Sequence, residues 1–170
     1  MVLKLYKVNP KYLKYLRSID NRVSFKNSRP FVGVLTMING VNYVLPLTSQ
    51  TTEARKLSGK KKRPSVFTTF VKNSSNIEIA NILHNNMIPV SLDDISLIRV
   101  NPTLDSYKIS EIRYIRKNCD KIINKATTVY LRRINNYNDF YVKLCCDFKK
   151  LEEALEQYKL LRKRKKDKLP

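Results

Sequence analysis

Residues 31–49, FVGVLTMINGVNYVLPLTS, constrain this chain more than any other stretch. Two apolar runs, 31–38 and 41–47, flank Asn39-Gly40, a pair that supplies the positive φ values of a two-residue type I′ turn. The spacing predicts an antiparallel hairpin. Its second strand is expected to stop at Pro46 and hand over to two hydroxyls, Thr48 and Ser49. Gln50-Thr51-Thr52 and then a basic run follow: Arg55, Lys56, Lys60, Lys61, Lys62 and Arg63. A rigid strand ending in hydroxyls beside dense positive charge suits a site for phosphate.

A chain of 170 residues, 42% hydrophobic, can bury one sizeable core and is short for two, so a single domain over 1–170 is expected. Its formal net charge of +20 favours a polyanionic partner, nucleic acid ahead of an anionic membrane. Ten Tyr, six Phe and only three Gly argue that this charge sits on a folded body, because disordered chains are poor in aromatics. Cys119, Cys145 and Cys146 are odd in number and lack C-x-x-C spacing, which supports neither a disulfide framework nor a zinc site. Lysines interrupt the N-terminal apolar residues, and no later segment approaches a membrane span. A cytoplasmic protein is expected.

In chain order, residues 2–8 alternate as a short first strand, and Asn9-Pro10 is a helix start signal for 10–19. That helix sets Leu13, Leu16 and Ile19 on one side and Tyr12 and Tyr15 on another, so the pattern alone makes Tyr12 a packing residue. Residues 20–30 read as a loop. The stretch 58–64 is by composition a mobile basic loop, either a solvated charge run or a phosphate contact. Strands are expected at 66–71, 77–83 and, briefly, 87–90, with a turn at 84–86; residues 91–100 fit a strand or a helical turn followed by one. From about residue 104 the period changes to 3.6, with Ile109, Ile112, Ile115, Cys119, Ile122, Ile123 and Ala126 on one face. This predicts a long helix or a broken pair, interrupted at 127–129 and 135–138. A last helix over about 140–161, capped by Asn138 or Asp139, ends in a basic tail, about 162–170, that reads as a fraying end.

The lone histidine, His84, falls in a polar turn with no nucleophile elbow near it and reads as structural. There is no H-E-x-x-H and no Walker glycine loop, and Asp93-Asp94 is an isolated acidic pair, so no metal or cofactor is expected. RNA cleavage needs none of these parts. The 2′-hydroxyl of RNA can attack its own phosphate if the protein aligns it and stabilises the charge that develops. On residue types alone, a basic protein that only binds RNA fits equally well.

Three motifs, Pro10-Lys11-Tyr12-Leu13-Lys14-Tyr15-Leu16, Arg29-Pro30-Phe31-Val32-Gly33-Val34 and Tyr43-Val44-Leu45-Pro46-Leu47-Thr48-Ser49, resemble the ToxN/AbiQ family of type III toxin-antitoxin endoribonucleases. Further matches follow in order: Met87-Ile88-Pro89-Val90, Ile115-Arg116-Lys117-Asn118-Cys119-Asp120-Lys121-Ile122 and Cys146-Asp147-Phe148 with Leu151-Glu152-Glu153. The resemblance implies an α+β fold: a single compact domain with a strongly twisted antiparallel sheet flanked by helices, related to the Kid/MazF toxins. It implies metal-independent RNA cleavage that leaves 2′,3′-cyclic phosphate and 5′-hydroxyl ends. It also implies an antitoxin RNA, processed from tandem repeats into pseudoknots that inhibit the toxin in a closed, often three-to-three, assembly. Such systems are abortive-infection defences against phage, with cellular or phage RNA as substrate.

Carried over by position, the resemblance puts Thr48 and Ser49 at the centre of the active site, orienting the 2′-hydroxyl and the phosphate. Tyr12 would face them, and Arg29 would neutralise the phosphate. Family members often continue the hydroxyl pair with Pro-Lys, whereas this chain has Gln50-Thr51; Lys56 or a residue of 60–63 would then supply the charge. Glu111 stands where several relatives carry glutamine and is a further candidate, although a solvated helix position is its plainer reading. For the RNA-binding groove the candidates are Thr51, Lys56, Lys60, Lys61, Lys62, Arg63, Arg116, Lys117 and Lys121, the basic ones holding phosphates. If about six of these contacts displace counterions, affinity falls on the order of 10³-fold between low and moderate salt.

Overall fold

The computed structural model describes residues 3–25, 31–38, 40–101 and 103–166. The expectations for Asn39 and Arg29 lie outside the described residues. Among those described, the strands are β1 (Lys4–Val8), β2 (Phe31–Ile38), β3 (Val41–Thr48), β4 (Thr68–Lys72), β5 (Glu78–Leu83), β6 (Ile88–Pro89) and β7 (Ile95–Leu97). The helices are α1 (Pro10–Ile19), α2 (Thr52–Leu57), α3 (Ser106–Lys117), α4 (Cys119–Ile134), α5 (Asp139–Leu144) and α6 (Phe148–Lys166). Every strand pairing is antiparallel, in the order β4-β5-β3-β2-β1-β7, with β6 also on β3.

The hairpin is the centre of the sheet. Ile38 stands opposite Val41, which leaves a two-residue turn, and Gly40 has a φ of +80, where a side chain would be strained. The ladder is less regular than an alternating pattern suggests, since its register shifts between Val34 and Met37. The second strand does not stop at Pro46. On one edge β3 pairs with β6 at Tyr43 and Val44 and with β5 at Leu47 and Thr48, and Pro46 falls in the gap between those two pairings. A residue without an N–H is tolerated in a stretch of edge that forms no ladder. All six residues from Tyr43 to Thr48 are buried, so β3 is covered on both faces.

Helix α1 forms as its signals dictate: the Asn9 side chain accepts from the Lys11 N–H at 2.9 Å, and Pro10 takes the first turn. Residues 91–100 resolve into a short 3-10 turn, Leu92–Asp94, followed by β7. Two helical expectations are corrected. The long helix breaks at Asn118, whose side-chain amide donates to the Tyr114 carbonyl at 2.9 Å, and not at 127–129. Thr127 and Thr128 lie within α4, their hydroxyls donating to the carbonyls of Ile123 and Asn124. The last helix is two helices: Asn138 caps α5, and the chain turns at Cys145-Cys146-Asp147 before α6 begins. The turn is imposed from far away, because the buried Asp20 carboxylate accepts the Asp147 N–H at 2.7 Å and also grips Arg22. Helix α2 had no sequence signal beyond its cap.

The core joins β3 to α4 and α6 through Tyr43, Tyr130 and Phe148, whose ring centroids lie 5.7 to 6.1 Å apart. Glu152 accepts hydrogen bonds from both tyrosine hydroxyls, at 2.8 and 2.7 Å, so neither is buried without a partner. Of the tail expected to fray, the described part is helical, and 167–170 lie outside the described residues. Helix α6 continues to Lys166, and Arg162 holds Asp94 at 2.7 Å and Asp93 at 3.0 Å, which gives that acidic pair its partner. Among the described residues no helix is long and apolar enough to cross a membrane.

Candidate functional site

The chain leaves β3 through a turn held by several hydrogen bonds, although the buried Thr52 hydroxyl has no partner. Thr48 is buried, and its Oγ1 accepts the Gln50 N–H at 3.2 Å. The Thr51 N–H donates to the Ser49 carbonyl at 2.9 Å, and the Thr51 hydroxyl accepts from the Ala54 N–H at 3.2 Å, capping α2. From β5, the Asn81 side-chain amide donates to the Gln50 carbonyl at 2.8 Å, and the Glu78 carboxylate accepts the Thr52 N–H at 2.7 Å. Ser49 is different. It is exposed, and among the described residues its hydroxyl makes no hydrogen bond. A rigid turn thus presents one free hydroxyl to solvent.

Positive charge is brought to this turn by the loop that follows α2. The Arg63 guanidinium donates to the Gln50 side-chain oxygen at 3.3 Å, and the Lys62 ammonium sits 5.0 Å from the Phe70 ring centre. The Lys61 carbonyl accepts from Arg55 Nε at 2.8 Å, and the Lys60 N–H donates to the Arg55 carbonyl at 2.8 Å. The basic loop is therefore held at several points, where composition alone predicts a mobile one. In register, Thr48 stands opposite Asn81, and Asn81 opposite Phe70, a row across three strands about 10 Å wide. Asn81 is fully buried, and its Oδ1 has no hydrogen-bond partner. Phe70 in turn lines an open groove with Lys72, Tyr114, Lys121 and Lys125, so cationic surface continues from the turn across β4 to α4.

The predicted residues divide accordingly. Thr48, Ser49, Thr51 and Arg63 meet at the turn, with Lys62 beside it; Lys56, Lys60 and Lys61 are exposed on the same segment. Lys121 lines the Phe70 groove, and Lys117 lines a neighbouring one with Lys72, Asn73 and Arg113. Arg116 is exposed and lines neither. Tyr12 does not face the site. It is 0% exposed, its hydroxyl donates to the Pro89 carbonyl at 2.8 Å, and its ring packs 4.9 Å from that of Tyr158. Pro89 pairs with Tyr43, five residues up β3 from Thr48, which is about 16 Å along a strand. Burial, with Asp94 adding to it, pushes the Tyr12 hydroxyl above its usual pKa, so it stays protonated in the core, where it donates to Pro89.

Glu111 also departs from its plainer reading. It is only 5% exposed, and burial pushes its carboxyl up to about 7, with Lys108 pulling the other way. It lies one helical turn from Tyr107, whose hydroxyl donates to the Ile79 carbonyl, two residues from Asn81. His84 is structural, as expected: it is buried, its Nε2 is 2.8 Å from the Thr69 hydroxyl, and burial together with Lys125 lowers its pKa to about 3. Asn81, Phe70 and the Gln50 tether carried no sequence signal, because strand register across β3, β5 and β4 brings them together. Among the described residues no three His, Cys, Asp or Glu side chains converge as a metal site.

Comparisons with known proteins give this geometry a family. Residues 4–156 match the family described as toxin ToxN of the type III toxin-antitoxin system. The chain is 31% identical over 171 residues to the endoribonuclease ToxN of Bacillus thuringiensis subsp. kurstaki, covering 92% of this chain and 84% of that one. It superposes with TM-score 0.81 and 30% identity on a bacterial type III toxin whose structure shows selective inhibition by a non-coding RNA pseudoknot, covering 94% of this chain and 99% of the other. It superposes with TM-score 0.82 and 28% identity, at the same coverage, on AbiQ, a lactococcal anti-phage endoribonuclease of the type III system. On this evidence the chain belongs to the ToxN family of type III toxin-antitoxin systems.

Proposed function

We propose that this protein is an endoribonuclease toxin of a type III system, cutting RNA without a metal and silenced by a pseudoknot antitoxin RNA processed from tandem repeats. Its class rests on relatives named endoribonucleases, one of them anti-phage, and on a similar type III toxin inhibited by an RNA pseudoknot. The residue assignment rests on one observation: the exposed, free Ser49 hydroxyl on a turn held by hydrogen bonds at Thr48, Gln50, Thr51 and the Thr52 N–H. A group fixed before substrate arrives needs no reorganisation when charge develops, and that is where electrostatic stabilisation is most effective.

In the proposed step the RNA 2′-oxygen forms a bond to the adjacent phosphorus and the bond from phosphorus to the 5′-oxygen breaks. The 2′ proton leaves to a base and a proton reaches the departing 5′-oxygen, which yields a 2′,3′-cyclic phosphate and a 5′-hydroxyl. Ser49, steadied by Thr48, orients the 2′-hydroxyl and the phosphate. The guanidinium held at Gln50, that of Arg63, takes the charge role for which family members often use a lysine after the hydroxyl pair, and Arg29 is assigned to the same phosphate. Glu111 is assigned to proton transfer, because a carboxyl near 7 can give and take protons at neutral pH. Lys56, Lys60, Lys61, Lys62, Lys117 and Lys121 hold the flanking phosphates of substrate and antitoxin alike.

Single-turnover cleavage and RNA binding by Ser49→Ala test the assignment together. The expected result is a loss of about 10²- to 10³-fold in cleavage rate, comparable to removal of one oxyanion donor, with RNA still bound. Undiminished cleavage removes Ser49 from the site. A folded wild type that binds RNA and never cuts it makes the chain a non-catalytic RNA-binding protein.

A further inference from the structure

The turn between α4 and α5 carries apolar surface that neither the core nor the hydroxyl site uses. Tyr137 is 62% exposed, Phe140 44% and Leu131 48%. The two aromatic rings are nonetheless ordered by contacts. Phe140 stacks on the buried Phe67 at 5.1 Å with an interplanar angle of 18°. Tyr137 meets Tyr141 edge-on at 5.8 Å, and the Arg132 guanidinium lies 4.9 Å from the Tyr137 ring centre and 5.7 Å from that of Tyr141. Arg132 is fixed there by a 2.9 Å hydrogen bond to the Tyr141 hydroxyl. Asn136 holds a φ of 48 and the Asn138 side chain caps α5, so the turn that presents Tyr137 is specified on both sides. Exposed rings held open beside a fixed guanidinium match what a nucleobase stacks upon.

The position of these rings points the same way. Phe67, under Phe140, is four residues beyond Arg63, within about 14 Å by chain reach. Between them the Lys125 ammonium donates to the carbonyls of Ser65 and Thr68 and lines the Phe70 groove with Lys121. A polyanion lying along that groove passes Ser65 and Thr68, which flank the Phe67 on which Phe140 stacks. A second copy of the chain is the other conceivable occupant, but a net charge of +20 opposes self-association and favours a polyanion.

We propose that Tyr137 and Phe140, with Arg132 between the tyrosines, form a stacking platform for unpaired bases of single-stranded RNA that runs from the Thr48–Ser49 turn along the Lys121–Lys125 groove. This rests on the endoribonuclease reading for its partner and extends it to a second contact surface. Such a platform accepts any base, because every base offers a π face, and it contributes affinity without releasing counterions.

The test measures binding of 2′-O-methyl oligouridine, which cannot act as its own nucleophile, by fluorescence anisotropy with the full chain over a range of salt. Tyr137→Leu keeps apolar bulk and loses the ring; it is expected to bind about tenfold more weakly with an unchanged salt slope. Tyr137→Phe restores the ring and is expected to restore affinity. Leucine binding as tightly as wild type, or phenylalanine as weakly as leucine, overturns the platform. So does a wild type that sediments as a dimer and becomes monomeric in Tyr137→Leu. Unmodified RNA left intact by a wild type that shows the Tyr137 dependence would overturn the nuclease and leave the platform standing.

Discussion

Burial pushes the Glu111 carboxyl up to about 7, while an unfolded chain titrates near the ordinary value of 4.5. Between those pH values the folded state binds the extra proton, so stability present in acid is lost as pH rises through about 7. Glu111→Gln removes that loss. Thermal melts are expected to show a Tm raised on the order of 5 °C at pH 8 and unchanged at pH 4. Equal destabilisation at both pH values would mean instead that the carboxylate makes hydrogen bonds the glutamine cannot replace. The burial of Glu111 was not legible in the sequence. A helical repeat orders the faces of its own helix, and what covers a face is decided by elements elsewhere, here β4 against α3. Tyr12 teaches the converse. The pattern of its helix made it a packing residue, the family resemblance drew it toward the active site, and the structure sides with the pattern because Pro89 and Tyr158 enclose it.

Elements whose signals are local formed where they were expected. The hairpin needs only its alternation and Gly40, and α1 only Asn9 and Pro10. The breaks between later helices were misplaced, because their causes lie far off in the chain. Asp20 ends α1 and, 127 residues away, fixes the N–H of Asp147 where α6 starts, while Arg22 reaches the Val142 carbonyl of α5 at 2.8 Å. Asp20→Ala leaves Arg22 and an N–H without their carboxylate. The expected cost is about 3 kcal/mol in urea denaturation, the scale for removing one partner of a buried pair. A change below about 0.5 kcal/mol would show that α6 sets its own start. The hydroxyl turn lies between these cases: Thr48 and Ser49 were visible in the sequence, and the strand β5 that locks their turn through Asn81 and Glu78 was not.

For the molecule as a whole, charge and topology act together. The net charge of +20 specifies a polyanion without saying where it lies. The sheet order β4-β5-β3 sets Phe70, which lines the groove of Lys121, in one row with the turn that carries Ser49, and the proposed site lies there. The account requires the RNA to provide its own nucleophile while the protein provides only alignment and charge. The measurement that tests this most directly is to incubate the protein with single-stranded RNA in EDTA and identify the product ends. The account predicts 2′,3′-cyclic phosphate and 5′-hydroxyl ends, and no cut at a position where the preceding nucleotide is 2′-deoxy. Cleavage that survives the 2′-deoxy substitution, or that stops in EDTA and returns with added magnesium, would contradict it.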